Sequence, residues 1–183
     1  MSPVQRFDEL LTTRLRMRRW RPADREPFAA MNADPEVMRH FPAVLDRARS
    51  DALVDHIEAR FETQGFGLWA LERLDDQVFL GFAGLNPMPP GTPGAGGMEV
   101  GWRLARHAWG AGYATEAGTE ALRVALGPVG LTEVWSITAV GNVRSQAVMR
   151  RLGLLEHSRY RHPGLPEAHV LSEHVAYRTR TDG

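Results

Sequence analysis

The chain has 183 residues, with 22 lysines and arginines against 22 acidic residues; that length fits one domain, 1–183, with a substantial core, and zero formal net charge disfavours a dedicated nucleic-acid binder, which is usually basic overall. Cysteine is absent, which excludes disulfides, thiolate nucleophiles and cysteine-type zinc sites and agrees with a reducing, cytoplasmic setting. No apolar run approaches membrane-spanning length and the N-terminus lacks a signal-peptide core, so no membrane partner is expected.

In chain order, Thr13 to Trp20 (TRLRMRRW) alternates Arg14, Arg16 and Arg18 with Leu15 and Met17, a first strand with one basic, solvated face. Arg21-Pro-Ala-Asp24 starts a helix through about Asn32, and Asp34-Pro35-Glu36 caps a short second helix through about His40. A longer helix covers Asp46 to Gln64 and stops at Gly65 and Gly67. Phe66 to Leu74 and Gln77 to Asn86 form a hairpin around Asp75-Asp76. Pro87 to Gly97 (PMPPGTPGAGG) continues neither strand nor helix and reads as a loop.

Met98 to Leu104 (MEVGWRL) alternates Val100, Trp102 and Leu104 with Glu99, Gly101 and Arg103, a strand. The turn HAWGAG follows, then a helix from Tyr113 to Leu126 with a narrow face of small residues. Gly110 and Gly112 permit positive φ and a close approach of backbone to ligand. The first amides of the helix lack intrahelical acceptors and carry the positive end of its dipole, which suits a phosphate or pyrophosphate. An ordinary tight turn is the plain reading. A dinucleotide-binding turn is opposed by Thr115, where G-x-G-x-x-G requires Gly or Ala, and by Glu133, which starts the next strand instead of ending it. Thr132 to Val140 is that next strand; Asn142 to Leu152 is a helix stopped by Gly153, with Asn142 as its N-cap. Arg159 to His162 and His169 to Tyr177 close the chain as two strands.

The segment WGAGYATEA, Trp109 to Ala117, resembles the acyl-CoA pyrophosphate loop of the GNAT superfamily of N-acetyltransferases, in the branch of ribosomal-protein N-terminal acetyltransferases typified by RimJ and RimL. TRLRMRRW, NADPEVMRHFP, and Asn142-x-x-Ser145 ending in Arg151-Leu-Gly153 extend the resemblance over nearly the whole chain. Trp109 stands where the wider superfamily has Gln or Arg, and Leu154 where it has Phe.

The resemblance implies an α/β (α+β) fold: a mixed, mostly antiparallel seven-stranded sheet, splayed at its centre and flanked by helices. Acetyl-CoA would be the cosubstrate, with no metal. Its pantetheine arm would pair with the backbone of Trp102, Arg103 and Leu104. Its pyrophosphate would sit on the turn formed by Trp109, Gly110, Ala111, Gly112, Tyr113, Ala114 and Thr115, with Asn142 and Ser145 holding the arm and the far side. His40 and Phe41 are candidate acceptor neighbours; Met31 and Met38 are read as core.

The reaction implied is direct attack of a neutral amine on the thioester, in a ternary complex. An α-amine of pKa near 8 is about one-tenth neutral at pH 7, whereas a lysine amine near 10.4 needs a stronger base. Glu99, in the branch's E-x-G motif, is the candidate catalytic base, and His107 is a second candidate with a surface role as its alternative. Met149 stands where many members carry a tyrosine acid. The expected acceptor is a protein or peptide N-terminal α-amine. The alternatives are a small-molecule amine, or a catalytically silent acyl-CoA-binding module; assembly as a homodimer is left open. A polyamine ranks lower, because the expected groove walls hold only Asp34, Glu36 and Glu167 as carboxylates.

Overall fold

The computed structural model describes residues 5–180. Its strands are β1 (Glu9–Leu11), β2 (Leu15–Arg18), β3 (Leu68–Arg73), β4 (Phe79–Pro87), β5 (Met98–Leu104), β6 (Trp135–Ala139), β7 (Leu155–Arg161) and β8 (Glu173–Arg178). Its α-helices are α1 (Arg25–Ala33), α2 (Arg47–Gln64), α3 (Tyr113–Leu126) and α4 (Val143–Arg151). The strands form one mixed sheet in the order β1-β2-β3-β4-β5-β6-β8-β7. Every neighbouring pair is antiparallel except β5–β6, which is parallel.

Eight strands stand where seven were expected. The extra one, β1, is three residues long, too short to show a period of two. The helix expected over Asp34–His40 is a run of turns instead. The Asp34 side chain accepts the Glu36 N–H at 2.8 Å, an Asx turn that competes with helix formation. Val37 and Met38 then sink into the core, so burial shapes this segment more than backbone periodicity does. Met31 is buried as well.

The basic face of the first strand is only partly solvated. Arg18 is 5% exposed. Its Nη1 and Nη2 donate to Asp24 at 2.7 and 2.9 Å, and its Nε donates to Glu72 at 2.9 Å. Truncation of one member of a buried ion network leaves its partners charged and desolvated. Arg18→Ala is therefore expected to cost about 3 kcal/mol of folding stability, read as a lowered urea midpoint. A loss under about 1 kcal/mol, the range of exposed pairs, would show that Glu72's contacts with Arg16 and Arg21 suffice.

Sheet alternation decides which side chains share a face. Arg103 on β5 donates from Nη1 to Asn32 Oδ1 on α1 at 2.6 Å, so Glu99 and Gly101 also lie on the α1 face. Trp135 pairs with Glu99 across β5–β6 and shares that face. So do Ile137 and Ala139 and, through the ladders, Ala176, His174 and Tyr160. Tyr177 pairs with Ser136 and accepts from Arg150 of α4 at 3.0 Å, so α4 lies on the opposite face. There Leu152, just after α4, packs against Gly118 of α3; a Cβ on that glycine would stand 2.9 Å from a Leu152 methyl.

Candidate active site

The parallel strands β5 and β6 share one register pair, Glu99 with Trp135. Beyond it their ladder stops, which is the central splay that the family resemblance implies. The Val100 carbonyl accepts from Ser136 Oγ at 2.8 Å, so Val100 points its backbone groups toward β6. By alternation Trp102 and Leu104 carry theirs toward the split, while those of Arg103 face its β4 partner Phe82. The Leu104 carbonyl is occupied by the Trp109 indole N–H at 2.8 Å. Of the three backbones expected to pair with a pantetheine arm, Trp102 is thus open, Leu104 is open at its N–H only, and Arg103 is committed to β4.

At the C-terminal end of β5, Gly110 and Gly112 take φ of 76° and 84°. A Cβ on Gly110 would meet nothing within 4 Å. Gly112 is the N-cap of α3. None of the N–H groups from Gly110 to Thr115 has an acceptor among the described residues; the first satisfied amide is Glu116, bonded to the Gly112 carbonyl at 3.0 Å. Six unpaired amides at a helix N-terminus make an anion nest. The Trp109 N–H is not one of them, because it donates to the Arg106 carbonyl at 3.1 Å. Trp109 instead buttresses the turn through its indole bond and through Arg144, whose guanidinium lies 4.9 Å from the ring centroid. That contact also brings the start of α4 beside the turn.

Arg14, read from the sequence as part of a solvated face, braces the turn from outside. Its Nη1 donates to the Ala111 carbonyl at 2.9 Å, its Nε to Glu116 at 2.7 Å, and its guanidinium stacks on Tyr113. Burial pushes the Glu116 carboxyl up, but hydrogen bonds from Thr12 and Arg14 outweigh it and hold the group below its ordinary value. Asn142 caps α4: its Oδ1 accepts the Ser145 N–H at 3.2 Å, and its Nδ2 donates to Thr138 at 3.0 Å. One lone pair and one N–H of the amide remain for a ligand.

Glu99 is half-buried on the α1 face. Burial raises its pKa to about 7, opposed only by a hydrogen bond from Asn86 Nδ2 at 3.4 Å. Tyr160 shares this face with a hydroxyl that is buried and has no partner among the described residues; desolvation and the Glu99 charge both raise its pKa. No motif marks Tyr160 in the sequence, because β7 exposes most of its residues. His40 lines an open cavity of about 480 Å³ with Ala139, Val140, Gly141 and His169. Desolvation and the charges of Arg39 and Arg144 lower its pKa. Phe41 packs under the Arg103 guanidinium at 4.2 Å. His107 lies exposed in a 3-10 turn, Arg106–Ala108, and Met149 is buried in the core, where it supplies no acid.

A family model described as an acetyltransferase (GNAT) domain matches residues 14–155. The uncharacterized protein YkkB of Bacillus subtilis (strain 168) is 27% identical over 147 residues, spanning 80% of this chain and 84% of that protein. An FsC-acetyl coenzyme A-N(2)-transacetylase of Aspergillus fumigatus is 31% identical over 137 residues. That match covers 71% of this chain and 57% of the transacetylase. An acetyltransferase structure from Bacillus anthracis superposes with a TM-score of 0.78 at 17% identity, covering 96% of this chain and 99% of that one. RimL, a ribosomal alpha-N-protein acetyltransferase solved with coenzyme A, superposes with a TM-score of 0.77 at 12% identity, over 94% of this chain and 97% of RimL. At such identities the structural matches speak for the fold alone.

Proposed function

The chain belongs to the GNAT family of acetyl-CoA-dependent acetyltransferases, and from that premise we propose that it moves the acetyl group to a primary amine, the α-amine of a peptide or protein N-terminus. One observation carries the reading. Glu99 stands at the point where β5 and β6 part, on the face opposite α4, and burial there raises its carboxyl pKa to about 7. A base of that pKa is half ionised at neutral pH and well matched to an α-ammonium near 8.

The residues divide the work as follows. The amides of Gly110 to Thr115 would receive the pyrophosphate, and Trp102 and Asn142 the pantetheine arm. Acetyl-CoA supplies an activated thioester. Glu99 accepts the proton that the ammonium must lose; the amine nitrogen then forms the new C–N bond and the C–S bond breaks. With Met149 in the acid's usual place, the thiol leaves as thiolate, which a pKa near 8.5 permits, and positioning contributes much of the acceleration.

The test is CoA release from acetyl-CoA over a panel of peptides differing at the first residue, single amino acids, lysine analogues, amino sugars and polyamines. Peptide N-termini are expected to lead. Turnover confined to free small amines would transfer the assignment to small-molecule acetylation. Tight binding of acetyl-CoA with no turnover on any amine would identify a silent acyl-CoA-binding module, which the missing acid at Met149 favours.

A further inference from the structure

Arg103, partly buried, stands apart from Arg18, the buried arginine of the sheet. Arg18 meets two carboxylates; Arg103 meets none among the described residues. Its Nη1 donates to the neutral Asn32 amide oxygen at 2.6 Å, its face rests on Phe41 at 4.2 Å, with Phe82 at 5.4 Å, and its Nε is buried with no partner. Its Nη2 has no acceptor among the described residues either, although the side chain keeps partial exposure. Burial alone moves its pKa, down to about 10, so it stays charged at pH 7. A guanidinium desolvated without a counter-ion is costly, and such an arrangement is a recurrent mark of a site that meets an anion.

Its surroundings show where the anion would lie. Glu99, Gly101 and Arg103 project from the same face of β5, and a Cβ on Gly101 would meet nothing within 4 Å. The strand surface between the carboxylate and the guanidinium thus carries no side chain at Gly101, and the space directly over that residue is open. Four residue steps along the strand set the two Cα atoms about 13 Å apart, and the side chains form no ion pair with each other. We propose that Arg103 binds a carboxylate of the acceptor while Glu99 receives its amine, so that the preferred acceptor is an acidic peptide-like amine. This rests on the acceptor side assigned above. The amine and carboxylate of a single amino acid share one carbon and are too close to meet both ends, so the carboxylate belongs to a later position. It is either the C-terminal carboxylate of a short peptide or an acidic side chain beside the N-terminus.

Two matched pairs separate these sources. Gly-Gly is compared with Gly-Gly-amide, and Ser-Asp-Ala-amide with Ser-Asn-Ala-amide; amine basicity is nearly the same within each pair. In at least one pair the carboxylate is expected to be favoured about tenfold or more in kcat/KM, through KM, as a charge-assisted contact allows. Arg103→Gln is expected to erase the preference and Arg103→Lys to keep part of it. A merely structural arginine would change stability and leave the ratio untouched. If no peptide turns over, calorimetric titration of the same four compounds into the CoA-saturated wild-type protein gives the same comparison without needing a stable variant. Equal handling of both members of both pairs, no binding of either carboxylate, or a preference that survives Arg103→Gln overturns the proposal. Failure of the wild-type protein to bind acetyl-CoA would instead overturn the active-site reading beneath it.

Discussion

Glu99→Gln is expected to lower turnover by roughly 10²–10⁴-fold, the usual range for a general base, and at the same time to stabilise the protein above neutrality. With the amine's own titration near 8 divided out, the wild-type kcat/KM should rise with pH and level off above about 7, where burial has placed the Glu99 pKa; the variant should lose that limb. The stability sign follows from linkage. The carboxyl titrates near its ordinary value when unfolded and near 7 when folded, so between those values the folded state holds the extra proton. Wild-type stability attributable to this group is then highest at acid pH, falls as pH rises through about 7, and stays low above it. The penalty at pH 8 is at most about 3 kcal/mol. Gln mimics the protonated form, so the two proteins should converge in urea unfolding near pH 4, below the unfolded value, and diverge at pH 8, the variant being the more stable. A variant with an unchanged pH–rate profile would remove Glu99 from the chemistry. Equal stabilities at both pH values would show that the group is better solvated than its position implies.

Gly112→Val should reduce acetyl-CoA affinity by at least about 100-fold, since a branched side chain would enter the space in front of the free amides. The structure adds a cost that glycine spacing alone does not reveal. Gly112 sits at φ 84°, where a β-branched residue is strained by about 1–3 kcal/mol, and its Cβ would stand 3.5 Å from Arg14 Nη2. The variant should therefore melt lower as well as bind worse. Ala111→Glu separates the two effects: Ala111 is exposed and needs no positive φ, while an added carboxylate beside the nest opposes a pyrophosphate electrostatically. Calorimetry should show weakened binding in both variants, with an unchanged thermal midpoint only in Ala111→Glu. Unaltered affinity in both would remove the cofactor assignment from this turn.

The parts of the molecule legible from sequence are those whose signal is local. The helix Tyr113–Leu126 matches its expected bounds residue for residue, because small residues recur at helical spacing and glycines flank it. The strand Met98–Leu104 also matches, from a period of two over seven residues. Asn142 as an N-cap follows from residue type next to a helical run. The segments that differ carry no such pattern. Strand β7 begins at Leu155, earlier than the expected Arg159, with most of its residues exposed; it is a strand because β8 pairs with it. The Asp34–His40 segment opens with a helix-start signal, Asp34-Pro35-Glu36, but the core takes Val37 and Met38 and the local hydrogen bonds go to a turn.

The charged residues mark the division most clearly. Residue types and spacing were enough to mark the central strand, the glycine turn and the helix after it, and the family resemblance they carry implied the splayed sheet and Glu99 as a candidate base. They treated Arg14, Arg16 and Arg18 as equivalent members of one solvated face, since alternation along a strand records direction and not what comes to lie on top. Only the folded chain separates them: Arg14 clamps a turn 97 positions away, and Arg18 is sealed in with Asp24 and Glu72. The same holds for the pKa of Glu99, the stranded charge of Arg103 and the unpartnered hydroxyl of Tyr160. Periodicity and turn chemistry act over a few residues and are written in order along the chain, whereas desolvation and the choice of counter-ion depend on segments that meet only when the sheet and its helices close around them.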